Sequence, residues 1–180
     1  AVAAEACDEA EATLGMLRGR FAGTETAAEA LYELARCDLK RGGYDRGIER
    51  LRRFLEESPS SPILDRVYFS LASAYFAAED PNLAAEHYGL AAEATADRDR
   101  RLLSLQNLGR VRQRLEDWEK AAEAWRAIAE EFPGRAESIE ALFNLGFCYT
   151  QSGKFELAWE VYRRIPGVAR TEEQRGRAHY

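Results

Sequence analysis

The residue types on which catalysis and metal binding most often depend are scarce in this sequence. Its 180 residues include two histidines, three cysteines and one methionine. No HExxH, GxSxG, phosphate-binding loop or dinucleotide-binding motif is present, and no cysteines and histidines are spaced as in a zinc site. The sequence therefore predicts no catalytic residues, no metal site and no bound cofactor, and we do not expect an enzyme.

Long apolar runs and concentrated basic segments are lacking as well. No run approaches the roughly 20 apolar residues that cross a bilayer, so insertion into a membrane is not expected. The net charge is -6 and the arginines alternate with glutamates, which disfavours nucleic-acid binding because phosphate contacts need a basic surface. The N-terminal residues show no signal peptide and no initiator methionine, which indicates a chain that is processed or excised from a longer one.

What is present is a repeat with a period of 37 residues. The repeated leucines are Leu34, Leu71, Leu108 and Leu145, and the repeated small residues are Gly47, Ala84, Ala121 and Ala158. Four full units are predicted, at 28–64, 65–101, 102–138 and 139–175, between a partial unit at 1–27 and the start of another at 176–180. Because both ends fall within a unit, we expect a fragment of a longer array, and the alternative is that the end helices are natural caps.

Each unit is predicted to form two helices joined by a turn. Glycines interrupt the pattern where first helices should end, at Gly42, Gly43 and Gly153. Residues typical of helix starts occur at Ser61-Pro62, Asp80-Pro81, Asp117 and Thr171. Small side chains in both helices allow their backbones to approach closely. No strand-like alternation competes with this pattern, so the sequence predicts an all-α fold.

The units resemble the tetratricopeptide repeat. The pattern of that family is a large residue, then Leu-Gly, Tyr, Ala, an aromatic residue and Pro. The fourth unit follows it with Leu142, Leu145-Gly146, Tyr149, Ala158 and Tyr162. The first unit departs from it with Asp38 for Tyr, and the second has Ala96 for Pro. The resemblance implies a right-handed α-solenoid of helix-turn-helix units, and the long period is similar to that of bacterial cell-envelope members.

The resemblance also implies where a ligand would bind, which is a concave surface lined by the first helices. The positions that face this groove carry aromatic residues and arginines: Tyr32, Arg36, Phe69, Phe76, Arg110, Arg114, Phe143 and Phe147. Such side chains often dominate the binding energy of protein interfaces, so we expect the groove to hold a peptide or helical segment of another protein. The alternatives are that the aromatic residues pack between units and that the arginines pair with glutamates.

One binding mode of the family is not expected here. Members that bind the C-terminal carboxylate of chaperones use a clamp of lysine, asparagine and arginine side chains in successive units. Only Asn107 and Asn144 match that set, and each does so singly. We therefore exclude a chaperone-tail clamp.

Cysteine and histidine positions in the repeat favour structural roles. Cys37 and Cys148 occupy the same repeat position three units apart, so we interpret them as packing residues, too distant for a disulfide, which needs Cα atoms within about 7 Å. A pair between Cys7 and Cys37 stays open. We expect His87, in a second helix, to be exposed to solvent, and His179 lies in the C-terminal tail.

The function predicted from these observations is a protein–protein interaction scaffold that binds a peptide or helix in a concave groove. The alternative is a structural spacer or self-association segment of a larger bacterial protein, of the cell envelope or with several domains, without a groove ligand. A regulatory part of an enzyme outside this chain is a further alternative. The identity of the partner, the oligomeric state and the compartment, periplasm, envelope or cytoplasm, stay open.

Overall fold

The computed structural model describes residues 2–21 and 24–168, and the regular elements in this part of the chain are all α-helices. The all-α prediction is confirmed for these residues. The chain forms two compact units, Ala1–Ala96 and Asp97–Tyr180. The predicted helix start at Thr171 and the predicted further unit at 176–180 lie outside the described residues. No helix in the described part is both long and apolar enough to cross a membrane.

The helices of each compact unit pair as antiparallel neighbours along the chain. The first unit contains α1 (Val2–Arg20), α2 (Glu25–Lys40), α3 (Tyr44–Glu57), α4 (Leu64–Ala77) and α5 (Pro81–Ala94). The second unit contains α6 (Arg98–Arg114), α7 (Trp118–Glu131), α8 (Ala136–Gln151) and α9 (Phe155–Val168). The second helix of each pair therefore begins every 37 residues, at Tyr44, Pro81, Trp118 and Phe155. The extension of one array over residues 1–180 stays a prediction.

The helix boundaries follow the local chemistry of their end residues. The Asp80 carboxylate accepts a hydrogen bond from the Leu83 backbone N–H at 3.1 Å, and Asp117 accepts one from Lys120 at 3.4 Å, which satisfies otherwise unpaired donors. The predicted start at Ser61-Pro62 is wrong, because α4 begins at Leu64. The Ser61 hydroxyl instead donates to the Glu25 carboxylate at 2.6 Å.

Small residues bring the two helices of a pair into close contact, as the repeat pattern indicates. A Cβ atom on Gly109 would lie 2.6 Å from Cε2 of Trp125, and one on Gly146 would lie 2.4 Å from Cε1 of Tyr162. These distances leave no room for a methyl group. The buried Trp125 ring thus lies directly on the α6 backbone.

The repeated leucines form the core between the helices. Leu34, Leu71 and Leu145 are buried, whereas Leu108 is only half-buried. The small residues of the second helices, Ala84, Ala121 and Ala158, are buried beside them. First helices consequently turn one face to this core and leave another for contacts outside it.

Candidate functional site

The first-helix face of the first unit is formed by α2 and α4. The Tyr32 hydroxyl lies 3.3 Å from the Ser70 hydroxyl, and Arg66 lies 3.9 Å from the Glu33 carboxylate. Both contacts join side chains of α2 to side chains of α4. The two helices that the sequence predicted to line a groove are therefore neighbours in this unit.

Tyr32 lies beneath two guanidinium groups on this face. The ring is buried, the Arg36 guanidinium carbon lies 5.7 Å from its centroid, and that of Arg66 lies 5.0 Å away. Arg36 also forms an ion pair with Glu33 at 2.9 Å. A cation over an aromatic face is held by the ring quadrupole, so Tyr32 supports the arginines and offers little surface of its own.

Two phenylalanines of α4 differ in how much surface they offer. Phe69 is half-buried, with its ring centroid 5.3 Å from that of Tyr88 in an edge-to-face arrangement. Burial raises the pKa of the Tyr88 hydroxyl, and the hydrogen bond with Ser73 opposes that rise. Phe76 is 38% exposed. Phe76 is thus the most accessible of the predicted aromatic residues in this unit.

The first-helix face of the second unit is formed by α6 and α8. Arg110 forms an ion pair with Glu140 at 3.1 Å, and the Gln113 side-chain amide donates to the Asn144 side-chain oxygen Oδ1 at 3.2 Å. As in the first unit, polar side chains join the two first helices. Arg110 and the predicted groove residue Arg114 are both exposed.

Phe147, on α8, is the more exposed of the two phenylalanines predicted to line the groove in this unit. It is 43% exposed, and its ring centroid lies 5.8 Å from that of Trp118 in an edge-to-face arrangement. Phe143, one helical turn earlier, is half-buried. An exposed phenylalanine seated on a tryptophan is a preformed apolar contact point.

The chemistry of both faces suits reversible binding of a polypeptide. The ion pairs of Arg36 and Arg110 are partly exposed, and such pairs contribute only about 0–1 kcal/mol. Their guanidinium groups can therefore exchange a glutamate for a ligand carboxylate or carbonyl at little cost. Among the described residues, no group of three or more histidine, cysteine, aspartate or glutamate side chains could hold a metal ion.

The cysteines differ from the sequence-based interpretation in one respect. Cys7 and Cys37 form a disulfide with Cα atoms 5.6 Å apart, so the alternative that the sequence left open is present and Cys37 is not a simple packing residue. The reason is that α1 packs on α2 and brings the two side chains together. Cys148 is a buried free thiol, and burial raises its pKa, in keeping with a packing role.

His87 was predicted to be exposed, and this prediction is wrong. The ring is half-buried, its centroid lies 5.1 Å from that of Tyr75 and its Nδ1 lies 2.9 Å from the Leu83 carbonyl oxygen. The second-helix position alone could not indicate the aromatic neighbour on α4.

Sequence reasoning did not single out an exposed aromatic pair on α9. Phe155 and Trp159 lie four residues apart, on one side of the helix, and both are largely exposed. A signal was present, because the positions equivalent to Trp159 hold Ile48, Ala85 and Ala122. A tryptophan among alanines at an interhelical position is an exception to the repeat.

Solved structures with a similar fold support the same architecture. MamA has 20% identity and a TM-score of 0.67, with 96% of this chain and 86% of that chain covered. A putative kinesin light chain from Podosopora anserina, with nearly identical tetratricopeptide-like repeats, has 17% identity and a TM-score of 0.70, covering 92% and 86%. YrrB, a tetratricopeptide protein with an unusual peptide-binding site, has 17% identity and a TM-score of 0.62, covering 97% and 86%.

Sequence comparison identifies the family directly. A comparison with curated proteins gave no match. Two tetratricopeptide repeat models match residues 29–61 and 107–172, together more than half of the chain. The fold class is that of helical-repeat α-solenoids. The chain belongs to the tetratricopeptide repeat family, which consists of protein-interaction modules and not of enzymes.

Proposed function

We propose that this scaffold binds a peptide or helical segment of another protein on its first-helix faces. The observation that carries the proposal is the exposure of Phe76 and Phe147, each on a first helix whose face also presents an exchangeable arginine. An aromatic anchor beside a guanidinium group is the combination that most often dominates interface energy. The fold is similar to that of YrrB, a tetratricopeptide protein with an unusual peptide-binding site, which is consistent with such a ligand.

The predicted groove residues have graded roles in this proposal. Phe76 and Phe147 contact the ligand directly, and the half-buried Phe69 and Phe143 shape the surface beside them. Arg36, Arg110 and Arg114 contribute polar contacts, and the buried Tyr32 holds Arg36 in place.

A random peptide library tests the proposal and requires no assumption about the sequence of the partner. Peptides selected from a phage-displayed library of random 16-residue segments are measured by fluorescence anisotropy against the wild type and Phe147→Glu. We expect binding to weaken at least tenfold, about 1.4 kcal/mol, because a carboxylate replaces the apolar anchor.

Leu157→Glu is the matched control. Leu157 is 42% exposed, close to the 43% of Phe147, but lies on α9, outside the first-helix face. We expect selected peptides to bind this variant as they bind the wild type. Equal losses in the two variants, or no loss in Phe147→Glu while circular dichroism shows both folded, would remove the support for a first-helix site.

The spacer alternative also has a measurable consequence. If the chain serves only as a spacer or self-association segment, the library yields no peptide whose affinity falls in the Phe147→Glu variant. Analytical ultracentrifugation would then show either a monomer or a self-associating species.

A further inference from the structure

We propose that a second surface, outside the first-helix faces, binds a lysine- or arginine-rich segment of a partner protein. It is a groove of about 850 Å³ in the first unit, between α3 and the C-terminal end of α4. We call it the acidic groove. Its charged lining residues are Asp45, Glu49, Glu56, Glu57 and Asp80, opposed by Arg52 and Arg53.

The carboxylates of α3 form one exposed stripe along the acidic groove. Asp45, Glu49 and Glu56 follow each other at intervals of four and seven residues, which places them on one side of a helix. All three are exposed, and none has an ion-pair partner in the described part of the chain. Their charges are therefore available to a ligand.

The two arginines of the groove are already engaged. Arg53 forms an ion pair with Glu57 one turn further along α3. The Arg52 guanidinium carbon lies 5.7 Å from the ring centroid of Tyr75. With five carboxylates against these two arginines, the lining of the groove carries a net charge of -3, which is complementary to a basic segment.

Tyr75 supplies an observation that is independent of the acidic stripe. It lines the groove and is only 5% exposed, and its hydroxyl oxygen is buried without a hydrogen-bond partner. Buried polar groups in proteins nearly always have a partner. A ligand donor would supply the missing partner once the exposed Arg52 side chain, which lies over the Tyr75 ring, moves aside.

The second unit shows which chemical group suits this hydroxyl. Tyr149 stands at the repeat position equivalent to Tyr75, and Arg126 at the position equivalent to Arg52. Arg126 lies 5.9 Å from the Tyr149 ring centroid and also donates a hydrogen bond to its hydroxyl. A guanidinium donor thus satisfies Tyr149 within the chain, whereas Tyr75 lacks it.

These observations favour a basic polypeptide as the occupant. An arginine or lysine side chain can donate to the Tyr75 hydroxyl while its neighbours pair with Glu49 and Glu56. Because the carboxylates are exposed, the attraction is screened by salt, and binding should weaken as ionic strength rises.

The test uses the full chain and a fluorescein-labelled nona-arginine peptide, followed by anisotropy at 50 mM sodium chloride. Glu49→Gln combined with Glu56→Gln should weaken binding at least tenfold. The matched control is Glu86→Gln combined with Glu93→Gln, the same exposed positions one repeat later on α5. It removes equal charge and should change affinity less than twofold. Equal weakening by both double variants would show diffuse attraction and overturn the proposal.

Tyr75→Phe tests the hydroxyl contact separately. The substitution removes one oxygen and leaves the ring against Arg52, so the fold should stay intact by circular dichroism. We expect a three- to fivefold loss of affinity for the nona-arginine peptide. An unchanged affinity in a folded Tyr75→Phe protein would overturn the proposal, as would unaltered binding in the double variant of α3.

Discussion

Two sets of three helices occupy equivalent places in the repeat but are held together by different chemistry. The first trio is α1–α3 and the second trio is α7–α9. The bounds of α2 and α8 differ by three repeat periods, and so do those of α3 and α9. The backbones therefore correspond residue for residue over both helices, and the contacts between side chains can be compared directly.

Covalent and ionic contacts hold the first trio. The Cys7–Cys37 disulfide joins α1 to α2. The buried Asp38 carboxylate on α2 lies 3.0 Å from Arg50 on α3, and Arg50 lies 3.1 Å from Glu11 on α1. One arginine thus connects all three helices.

In the second trio, aromatic side chains make the contacts at the equivalent positions. Trp118 precedes Cys148 by the same 30 residues that separate Cys7 from Cys37, and its ring contacts Phe147. Tyr149 replaces Asp38 at the equivalent position and accepts a hydrogen bond from Arg126. The comparison teaches that the repeat fixes how closely the backbones approach and leaves the chemistry of the contact free to vary.

Removing the disulfide should produce the largest effect. Cys7→Ser opens a link between residues 30 apart in sequence, and a disulfide of this span contributes about 3 kcal/mol. Unfolding in urea should show this loss, and hydrogen exchange should place it in α1 and α2. Cys148→Ala, in the equivalent position of the second trio, should lose only about 1 kcal/mol. Faster exchange in α7 and α8 of the Cys7→Ser protein would contradict this assignment.

Replacing a glycine by alanine should reveal a smaller difference in stability between the two trios. A Cβ on Gly146 would meet the rigid Tyr162 ring at 2.4 Å, whereas one on Gly47 would meet the end of the flexible Leu39 side chain at 2.4 Å. Alanine also favours a helix by about 1 kcal/mol over glycine. We expect Gly146→Ala to lose about 1–2 kcal/mol of stability to overpacking and Gly47→Ala to stay within about 0.5 kcal/mol of the wild type. Similar shifts in urea midpoint for both would show that the Tyr162 ring moves aside as easily as Leu39.

Acid should have the smallest effect, and in the first trio it acts through Glu11. The hydrogen bond from Arg50, assisted by Arg41, lowers the pKa of Glu11 from its ordinary value. A carboxylate with a lowered folded-state pKa contributes stability above its unfolded pKa of about 4.3 and loses it as the pH falls through the folded value. For a partly exposed pair this contribution is about 0.5 kcal/mol.

Melting curves of wild type and Glu11→Gln at pH 7 and pH 3 measure this contribution. The wild type should melt higher at pH 7, and the difference should narrow towards pH 3 because Glu11 gains its proton as the pH falls through its lowered folded-state pKa. A difference that is undiminished at pH 3 would mean that the carboxylate charge is not what stabilises the first trio.

Features that depend on spacing along one helix could be predicted from the sequence. The 37-residue period predicted where second helices begin, and Asp80 and Asp117 marked two of those starts. Glycine beside a large residue indicated the contacts at Gly109 and Gly146. These features follow from local conformational preferences and from helix periodicity, both of which a sequence displays.

Features that depend on the neighbouring helix could not be predicted. Whether Cys37 meets Cys7, or His87 meets Tyr75, depends on side-chain direction across an interface that no spacing rule resolves. The unpaired Tyr75 hydroxyl could not be predicted either. The equivalent Tyr149 has the same side chain, and the two differ only in that an arginine donates a hydrogen bond to the Tyr149 hydroxyl. The roles of the eight groove residues stay predictions for the same reason.

The disulfide between α1 and α2 also decides what happens when the backbone is cut. Cys7 lies within α1 and Cys37 within α2, so the connection between the helices lies inside the ring that the disulfide closes. A protease that hydrolyses one peptide bond in that connection leaves both pieces covalently joined. Under oxidising conditions the two fragments stay joined in one molecule, and α1 is released only after a reductant cleaves the disulfide.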